Sequence, residues 1–336
     1  MTTLPTRRVG DLDVSAISLG CMPLSHAYGD QPSPEAGTAL LHEAIDAGVT
    51  FLDTATLYGG GRNEELVGQV LKTRRDEVVL ASKCVMHLVD GKKVIDGRPE
   101  SIKAMCDASL QRLGVDVIDL YYLHRWDKNV PIEESVGAMA ELVEAGKIRS
   151  IGLSEVSVER LTAAQTVAPI AAVQNEYSLW TRNPELGMVD ACRERGVALV
   201  AFSPLARGFL AATLRDPKTL PQGDIRKAMP RFTDEFYPAN LTLADQFASI
   251  ADGAGCTPSQ LALAWLLLRG DFVVPIPGTT SIEHLHEDIA ALDVHPGDDV
   301  LDAVGALINN DTVHGPRYTP AQLAEVDAET FDTTTN

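Results

Sequence analysis

Four polar residues have types and positions that suit the reduction of a carbonyl group. Asp53 ends the apolar run FLD, and Tyr58 follows in the next loop. Lys83 ends the run VVLASK, and His124 ends the run IDLYYLH. Reduction builds negative charge on the carbonyl oxygen, which must then receive a proton. Because a tyrosine hydroxyl keeps its proton at neutral pH, the pattern predicts that Tyr58 donates it.

The charges of the other three residues predict supporting roles. A Lys83 ammonium favours the phenolate and so makes Tyr58 a stronger acid. Asp53 can keep Lys83 charged and in place, and His124 can hydrogen-bond the same carbonyl. Each residue alone also fits another role, as a loop aromatic, a surface or Schiff-base lysine, half of a core ion pair or a structural histidine. The catalytic interpretation therefore requires a fold that brings three strand ends together.

Eight short apolar runs alternate with amphipathic stretches along the 336 residues. They are rich in Val, Ile and Leu, which is typical of strands buried on both faces. The runs are residues 17–20, 51–53, 78–83, 118–124, 150–154, 171–176, 197–203 and 272–278. The pattern predicts a single domain, residues 1–336, folded as a (β/α)8 TIM barrel whose active site lies at the carboxyl ends of the strands. A doubly wound sheet is the rival fold, but no GxGxxG motif follows an early strand.

Glycines and long connections predict how the barrel is bounded. Apolar stripes of three helices stop at Gly48, Gly114 and Gly146. Residues 6–15, TRRVGDLDVS, predict a β-hairpin that caps the bottom of the barrel. The connection 206–238 lacks a strong period, and a loop of that length at the carboxyl face is usually functional. Residues 309–336 are interpreted as a C-terminal tail.

Composition limits the classes of function. The net charge is 28 − 47 = −19, which disfavours binding to nucleic acid. We expect a cytoplasmic protein, since no window reads as a signal peptide or membrane span and the cysteines lack CxxC spacing. No metal site is expected, because His284 and His286 face different sides of a helix. GGGR, residues 59–62, lacks the end of a P-loop and is interpreted as a flexible loop.

These motifs resemble those of the aldo-keto reductases. FLDTATLYG with Asp53 and Tyr58, the later Lys83, and DLYYLHRWD with His124 look like the catalytic tetrad of that family. The resemblance covers nearly the whole chain and is strongest to a branch that contains plant perakine reductase, the auxin-induced-protein-like reductases and bacterial relatives. It implies a reversible, NADP(H)-dependent reduction of an aldehyde or ketone to an alcohol, with NAD(H) as a possible cofactor.

The resemblance also implies a track for the cofactor. Ser154 and Gln174 would bind the nicotinamide, and Phe202 would stack on it where many relatives have Tyr. The pyrophosphate would lie along the backbone of Ser203, Pro204, Leu205 and Gly208. The start of the last helix would meet the adenosine phosphate, since its free N–H groups attract anions. The further residues implied to contact the cofactor are Gly20, Cys21, Met22, Asp53, Gly278, Thr279, Thr280, His284, Glu287 and Asp288.

The sequence departs from the family at the adenosine end. No Lys or Arg follows GTT, and Asp288 replaces the usual Asn, so only a modest preference for NADP(H) is expected. Arg226, Lys227 or Arg231 of the long connection would have to supply the missing charge.

The only partner expected is a small carbonyl or alcohol substrate, in contact with Tyr58, His124 and Trp126. Its identity and the oligomeric state are not determined by the sequence. Met22, Leu57 and Trp180 are further apolar candidates for the mouth of the site. One alternative is a nucleotide-sensing binding subunit on the same fold, with little turnover. Another is a Schiff-base aldolase, which needs a neutral Lys83 and is disfavoured by Asp53.

Overall fold

A β-hairpin packs against one end of a barrel in the computed structural model, which describes residues 3–331. Strands β1 (Thr6–Val9) and β2 (Leu12–Ser15) flank the predicted turn at Gly10. Val9 and Val14 are buried in one cluster with the first residues of barrel strands, such as Phe51 and Ala172. The hairpin therefore closes the amino-terminal end of the barrel, as predicted.

Eight parallel strands form the barrel sheet, and their order in the sheet follows their order in the chain. Each overlaps one of the eight apolar runs of the sequence, so the predicted (β/α)8 fold is confirmed. The strands are β3 (Leu19–Gly20), β4 (Phe51–Asp53), β5 (Val79–Cys84), β8 (Ile118–Leu123), β9 (Ile148–Ser154), β10 (Ala172–Glu176), β11 (Ala198–Phe202) and β12 (Val273–Pro275). The first and last strands close the ring, since Ser18 N donates to Pro275 O at 3.1 Å and Gly20 N donates to Pro277 O at 2.9 Å.

The helices pack around the sheet, and the sequence marks their ends. Ser33 caps the first helix by accepting from Ala36 N, and Pro34 occupies its first position. Gly114, with φ 65°, ends the third helix in the left-handed conformation. The helices are α1 (Pro34–Asp46), α2 (Arg62–Arg74), α3 (Pro99–Leu113), α4 (Ile132–Glu144), α5 (Val158–Gln165), α6 (Met188–Arg195), α7 (Tyr237–Gly253), α8 (Pro258–Leu267), α9 (Ile282–Ile289), α10 (Asp298–Leu307) and α11 (Pro320–Leu323). Within residues 3–331, no helix combines the length and the apolar character that crossing a bilayer requires.

A second hairpin was not predicted. Strands β6 (Met86–Val89) and β7 (Lys92–Ile95) pair after β5, at the carboxyl face of the barrel. Asp90 and Gly91 both have positive φ, 49° and 74°, as a two-residue hairpin turn requires. The dipeptide Asp-Gly was the sequence signal for this turn.

The long connection and the tail differ slightly from their predicted bounds. The connection ends at residue 236, because α7 begins at Tyr237, and it contains four short 3₁₀ turns. Its backbone joins the loop after β3, where Ile225 N donates to Ala27 O at 2.9 Å. The tail carries α11, and its residues 332–336 lie outside the described part of the chain.

Candidate active site

The barrel brings the predicted catalytic residues to one rim. Asp53 is the last residue of β4, Lys83 is the second-last residue of β5, and His124 follows β8 directly. These three strands are neighbours in the sheet. Tyr58 begins a short 3₁₀ turn in the loop after β4. The acid, the amine, the phenol and the imidazole therefore meet at the carboxyl end of the barrel.

Lys83 is the centre of a hydrogen-bonded group. Its ammonium is fully buried and donates to the Asp53 carboxylate, to Thr54 O at 3.0 Å and to Tyr58 OH at 3.1 Å. Gln174 Nε2 donates to the other oxygen of Asp53 at 2.8 Å. The lysine thus touches the proposed proton donor directly, and Asp53 is held from two sides.

The environment shifts the pKa of Tyr58 in two opposing directions. Burial raises the pKa of its hydroxyl, and the Lys83 ammonium opposes that rise. The net direction is upward, whereas the sequence predicted a more acidic hydroxyl. The difference arises because the ring is only 7% exposed, and the loss of water around the phenolate outweighs the ammonium. Burial also disfavours the charged form of Lys83, but Asp53 and Tyr58 outweigh it and raise the pKa of Lys83.

His124 packs against the ring of Tyr58 as a neutral imidazole. Its ring meets the Tyr58 ring edge to face, with centroids 5.7 Å apart and planes at 85°. Burial, together with the cations Lys83 and Arg125, lowers the pKa of His124 well below its usual value. Nδ1 is buried and has no hydrogen-bond partner among the described residues. A neutral imidazole can donate one N–H to a carbonyl oxygen without giving up a full proton.

Residues 59–62, interpreted from the sequence as a flexible loop, form the 3₁₀ turn that carries Tyr58 and the first residue of α2. Gly59, Gly60 and Gly61 all have positive φ, from 60° to 96°, a conformation that favours glycine. A Cβ on Gly59 would lie 2.8 Å from Ser25 O. The buried Asn63 ties the loop down further, since its Nδ2 donates to Cys21 O at 2.9 Å.

Asp53, Tyr58 and His124 border a cavity of about 550 Å³ at the carboxyl face, and the fully buried Lys83 contacts Asp53 and Tyr58 from behind the wall. Most of the residues implied to contact the cofactor lie on its wall. They are Gly20, Met22, Asp53, Ser154, Gln174, Phe202, Ser203, Pro204, Leu205, Gly208, Gly278, Thr279, Thr280, His284, Glu287 and Asp288. Tyr58 and His124, implied to contact the substrate, line the same cavity, as does Leu57.

Three predicted residues do not lie on the cavity wall. Cys21 is fully buried, and its side chain packs in the core between barrel and helices. Trp126 turns away from the cavity, because its Nε1 donates to Val130 O at 2.9 Å and Arg160 covers its ring. Trp180 is buried and stacks on Phe209 at 4.7 Å. The structure therefore does not bring these three side chains to the cavity, and Trp180 has the core position that the sequence left open.

Several wall residues were missed, and most come from connections far apart in the sequence. They are Pro23, His26, Ala27, Tyr28, Asp30, Met86, Arg125, Arg207, Ala211, Thr213, Ile225, Ser259, Ile276, Pro277 and Tyr318. Arg125 had a signal, since it directly follows a predicted catalytic residue at a strand end. The others had none, because loop conformations place them.

Arg207 joins three of these connections. Its guanidinium donates to Tyr28 OH at 3.0 Å, to Tyr318 OH at 2.9 Å and to Glu176 at 3.3 Å. Arg317 of the tail pairs with the buried Glu155 at the end of β9. Residues of the tail thereby become part of the cavity wall.

The cavity has features that fit a dinucleotide. Gly20 and Gly278 approach closely, and a Cβ on Gly278 would lie 2.8 Å from Gly20 O. Ser203, Ala206 and Arg207 have positive φ between 50° and 58°, and such turns can aim backbone N–H groups at an anion. At the other end, Gly278 and Thr279 lead into α9 and its free N–H groups.

The adenosine end has little free positive charge. Arg226 lines the cavity but pairs with Asp224 at 2.8 Å. Lys227 donates to Leu220 O, and Arg231 donates to Gly315 O and Thr181. Of the three basic residues considered from the sequence, only Arg226 therefore reaches the cavity.

Asp288 is an acid in this region that carries little charge at neutral pH. Its side chain is buried on the wall of the cavity. Burial and the nearby Glu287 raise the pKa of Asp288 to about 8. At pH 7 it is therefore mostly a neutral acid, with one O–H donor in the manner of an amide side chain.

Comparison with known sequences finds relatives that match most of this chain. The sequence model of the Aldo/keto reductase family matches residues 16–309. The aldo-keto reductase yakc (NADP(+)) of Schizosaccharomyces pombe is 42% identical over 335 residues, which cover 98% of this chain and 98% of that protein.

Solved structures have the same fold. The glycerol dehydrogenase AKR11B4 from Gluconobacter oxydans superposes with a TM-score of 0.83 at 28% identity, over 94% of this chain and 98% of that chain. An aldo/keto reductase from Klebsiella pneumoniae, solved in complex with NADP and acetate, superposes with a TM-score of 0.70 at 29% identity, over 95% of this chain and 99% of that chain.

Proposed function

Because the chain belongs to the aldo/keto reductase family, we propose that it reversibly reduces an aldehyde or ketone to an alcohol, with NADP(H) as cofactor and Tyr58 as general acid and base. The observation that carries this proposal is the direct bond between Lys83 Nζ and Tyr58 OH at the edge of the large cavity. A bound nicotinamide would supply the hydride.

The residues of the chain would handle the substrate oxygen and its proton. His124, neutral at pH 7, would donate an N–H to the carbonyl oxygen and fix its direction. As charge builds on that oxygen, Tyr58 would deliver its proton, and Lys83 would stabilise the phenolate that remains. In the reverse direction the phenolate would remove the alcohol proton. Asp53 keeps Lys83 charged throughout.

The residues that would hold the cofactor follow the cavity from one end to the other. Ser154, Gln174 and Phe202 lie near the catalytic group and would hold the nicotinamide. The backbone around Ser203 would accept the pyrophosphate, and the start of α9 would accept the adenosine phosphate. The NADP(+) in the name of the S. pombe relative and the NADP in the K. pneumoniae structure support NADP(H) as the cofactor. NAD(H) is the alternative cofactor, because the adenosine end has little free positive charge with which to select the additional phosphate of NADP(H).

The proposal includes three points of lesser scope. Residues 1–336 would act as one domain, with the 206–238 connection over the cofactor. The motif pattern supports membership of the branch that contains perakine reductase and the auxin-induced-protein-like reductases. Five free cysteines support a reducing compartment such as the cytoplasm.

Turnover separates the proposed enzyme from a nucleotide-sensing binding subunit. We expect steady oxidation of NADPH when the protein is mixed with a panel of aldehydes and ketones, followed as loss of absorbance. A protein that binds NADPH tightly but oxidises it with no member of the panel would favour the sensing subunit.

We expect the affinity for NADPH to fall by roughly tenfold as the pH rises from 7 to 9. The pKa of Asp288 is raised to about 8, so the side chain is neutral below that pH and negative above it. The carboxylate then opposes the nucleotide phosphate. Asp288→Asn should keep the affinity at pH 7 and lose most of the pH dependence, as measured by fluorescence titration.

A variant of the same helix is the control for this experiment. Glu283 is exposed on α9 and does not line the cavity, so Glu283→Gln should keep the fall. If the parent binds NADPH with the same affinity from pH 7 to 9, Asp288 does not control the binding of the cofactor through its charge.

A further inference from the structure

We propose that Arg125 makes this site select carbonyl substrates that carry a carboxylate close to the carbonyl carbon. This inference rests on the proposed function and names the substrate class of the same cavity. It follows from the position of Arg125, its lack of an acidic partner and the chemistry of its guanidinium group.

Arg125 lies at the reacting end of the cavity. It follows His124 in the chain, and its guanidinium lines the same cavity as His124 and Tyr58. Nη1 donates to His124 O at 2.6 Å and lies 3.4 Å from Ser154 Oγ. The backbone of β8 and the end of β9 therefore fix the group at the catalytic rim.

Arg125 differs from the other arginines of the cavity wall in having no carboxylate partner among the described residues. Arg207 pairs with Glu176, and Arg226 pairs with Asp224. Nε of Arg125 is buried and makes no hydrogen bond within the described residues. Nη2 of Arg125 also makes no hydrogen bond within the described residues and, unlike Nε, is not buried, so it has unused capacity to bind an acceptor in the cavity.

The charges around the catalytic group leave this guanidinium uncompensated. Lys83 is balanced by Asp53 in a direct ion pair, and His124 is neutral. An arginine stays charged at all ordinary pH values, and its planar fork matches the two oxygens of a carboxylate. When Tyr58 and His124 hold the carbonyl oxygen, a carboxylate on the adjacent carbon would lie toward Arg125, as in a 2-oxo acid.

Matched substrates test this directly. Benzoylformate and methyl benzoylformate share one ketone and differ in the charge of the neighbouring group. In Arg125→Met we expect kcat/KM for benzoylformate to fall by about tenfold or more, the value of a lost charge-assisted bond. We expect kcat/KM for the ester to change by less than threefold. Arg125→Lys should retain part of the preference, and high salt should reduce the preference of the parent.

Two controls separate a role in substrate binding from other roles. Arg193→Met removes an exposed arginine of α6 that pairs with Asp190, and it should change neither substrate. NADPH affinity in Arg125→Met, measured by fluorescence, should remain within threefold of the parent.

Each remaining outcome has a definite meaning. Equal falls in kcat/KM for the acid and the ester, or a matching loss of NADPH affinity, would overturn the inference. Arg125 would then support the structure of the catalytic rim or bind the nicotinamide. If the parent reduces no carbonyl at all, the proposed function fails, and calorimetric binding of benzoylformate to the NADP⁺ complex still decides the inference. Binding that depends on Arg125 would support it, and binding that is absent or independent of Arg125 would overturn it.

Discussion

Tyr58→Phe is expected to keep NADPH binding and to lower carbonyl reduction by about 10²–10⁴-fold, the usual contribution of a general acid. The hydroxyl is the group that Lys83 contacts at the edge of the cavity, at 3.1 Å. The phenyl ring of the variant keeps the packing against His124 and loses the hydroxyl group, with its proton and its bond to Lys83. Steady-state kinetics and nucleotide titration on the same preparation measure the two effects separately.

Tyr121→Phe is the matched control for that variant. Tyr121 is also fully buried, but it lies on β8 within the core between barrel and helices, and its hydroxyl has no partner among the described residues. Removing that oxygen should leave turnover within about threefold of the parent and should not reduce stability. Turnover of Tyr58→Phe in the same range would remove Tyr58 as the proton donor.

Lys83→Met is expected to lower the free energy of unfolding strongly. The side chain is fully buried, and its loss leaves Gln174 as the one side chain of residues 3–331 that donates to the carboxylate of Asp53. Breaking a buried ion pair by removing one partner typically costs about 3–5 kcal/mol. Chemical unfolding of parent and variant measures the free energy of unfolding.

Turnover of Lys83→Met should also fall, and its pH dependence should change. Lys83 opposes the rise in the pKa of Tyr58, so its removal moves that pKa further up. Reduction needs the protonated phenol and is lost as the pH rises through its pKa. The basic limb of the reduction profile should therefore move to higher pH in the variant.

A double variant separates the effect on the free energy of unfolding from the effect on turnover. Lys83→Met combined with Asp53→Asn removes both charges, so a large part of the lost stability should return. Activity should not return, because the ammonium beside Tyr58 is still missing. If Lys83→Met is as stable as the parent and the basic limb of its pH profile is unchanged, the ion pair neither stabilises the fold nor shifts the pKa of Tyr58.

The sequence was sufficient to predict that Asp53, Lys83 and His124 lie close together, because each stands at the end of a strand or directly after it. Strand ends are visible as the ends of apolar runs, and a parallel barrel brings successive ends together, so Asp53, Lys83 and His124 required no knowledge of loops. Cys21 shows the limit of that reasoning. It follows β3 directly, yet its side chain turns to the core while its neighbours Gly20 and Met22 line the cavity.

The rest of the wall depended on tertiary contacts. Tyr28, Arg207 and Tyr318 meet through hydrogen bonds between connections far apart in the chain, and no local pattern announces them. Trp126 was assigned to the substrate by its place in a motif, but a bond to Val130 O holds it elsewhere. The net pKa shift of Tyr58 was likewise beyond the sequence, since the extent of burial decided its direction.

The place of Tyr318 in the cavity wall, with Arg317 beside it, also bears on how the site is made during synthesis. The strands that carry the catalytic residues are complete once His124 has left the ribosome. Glu155 and Glu176, however, acquire the cation Arg317 only much later. At usual rates of translation the interval is roughly 10–40 s. A nascent chain therefore carries its catalytic residues well before it can close the wall around a nucleotide, and in that interval Glu155 still lacks its cation, whereas Glu176 can already pair with Arg207.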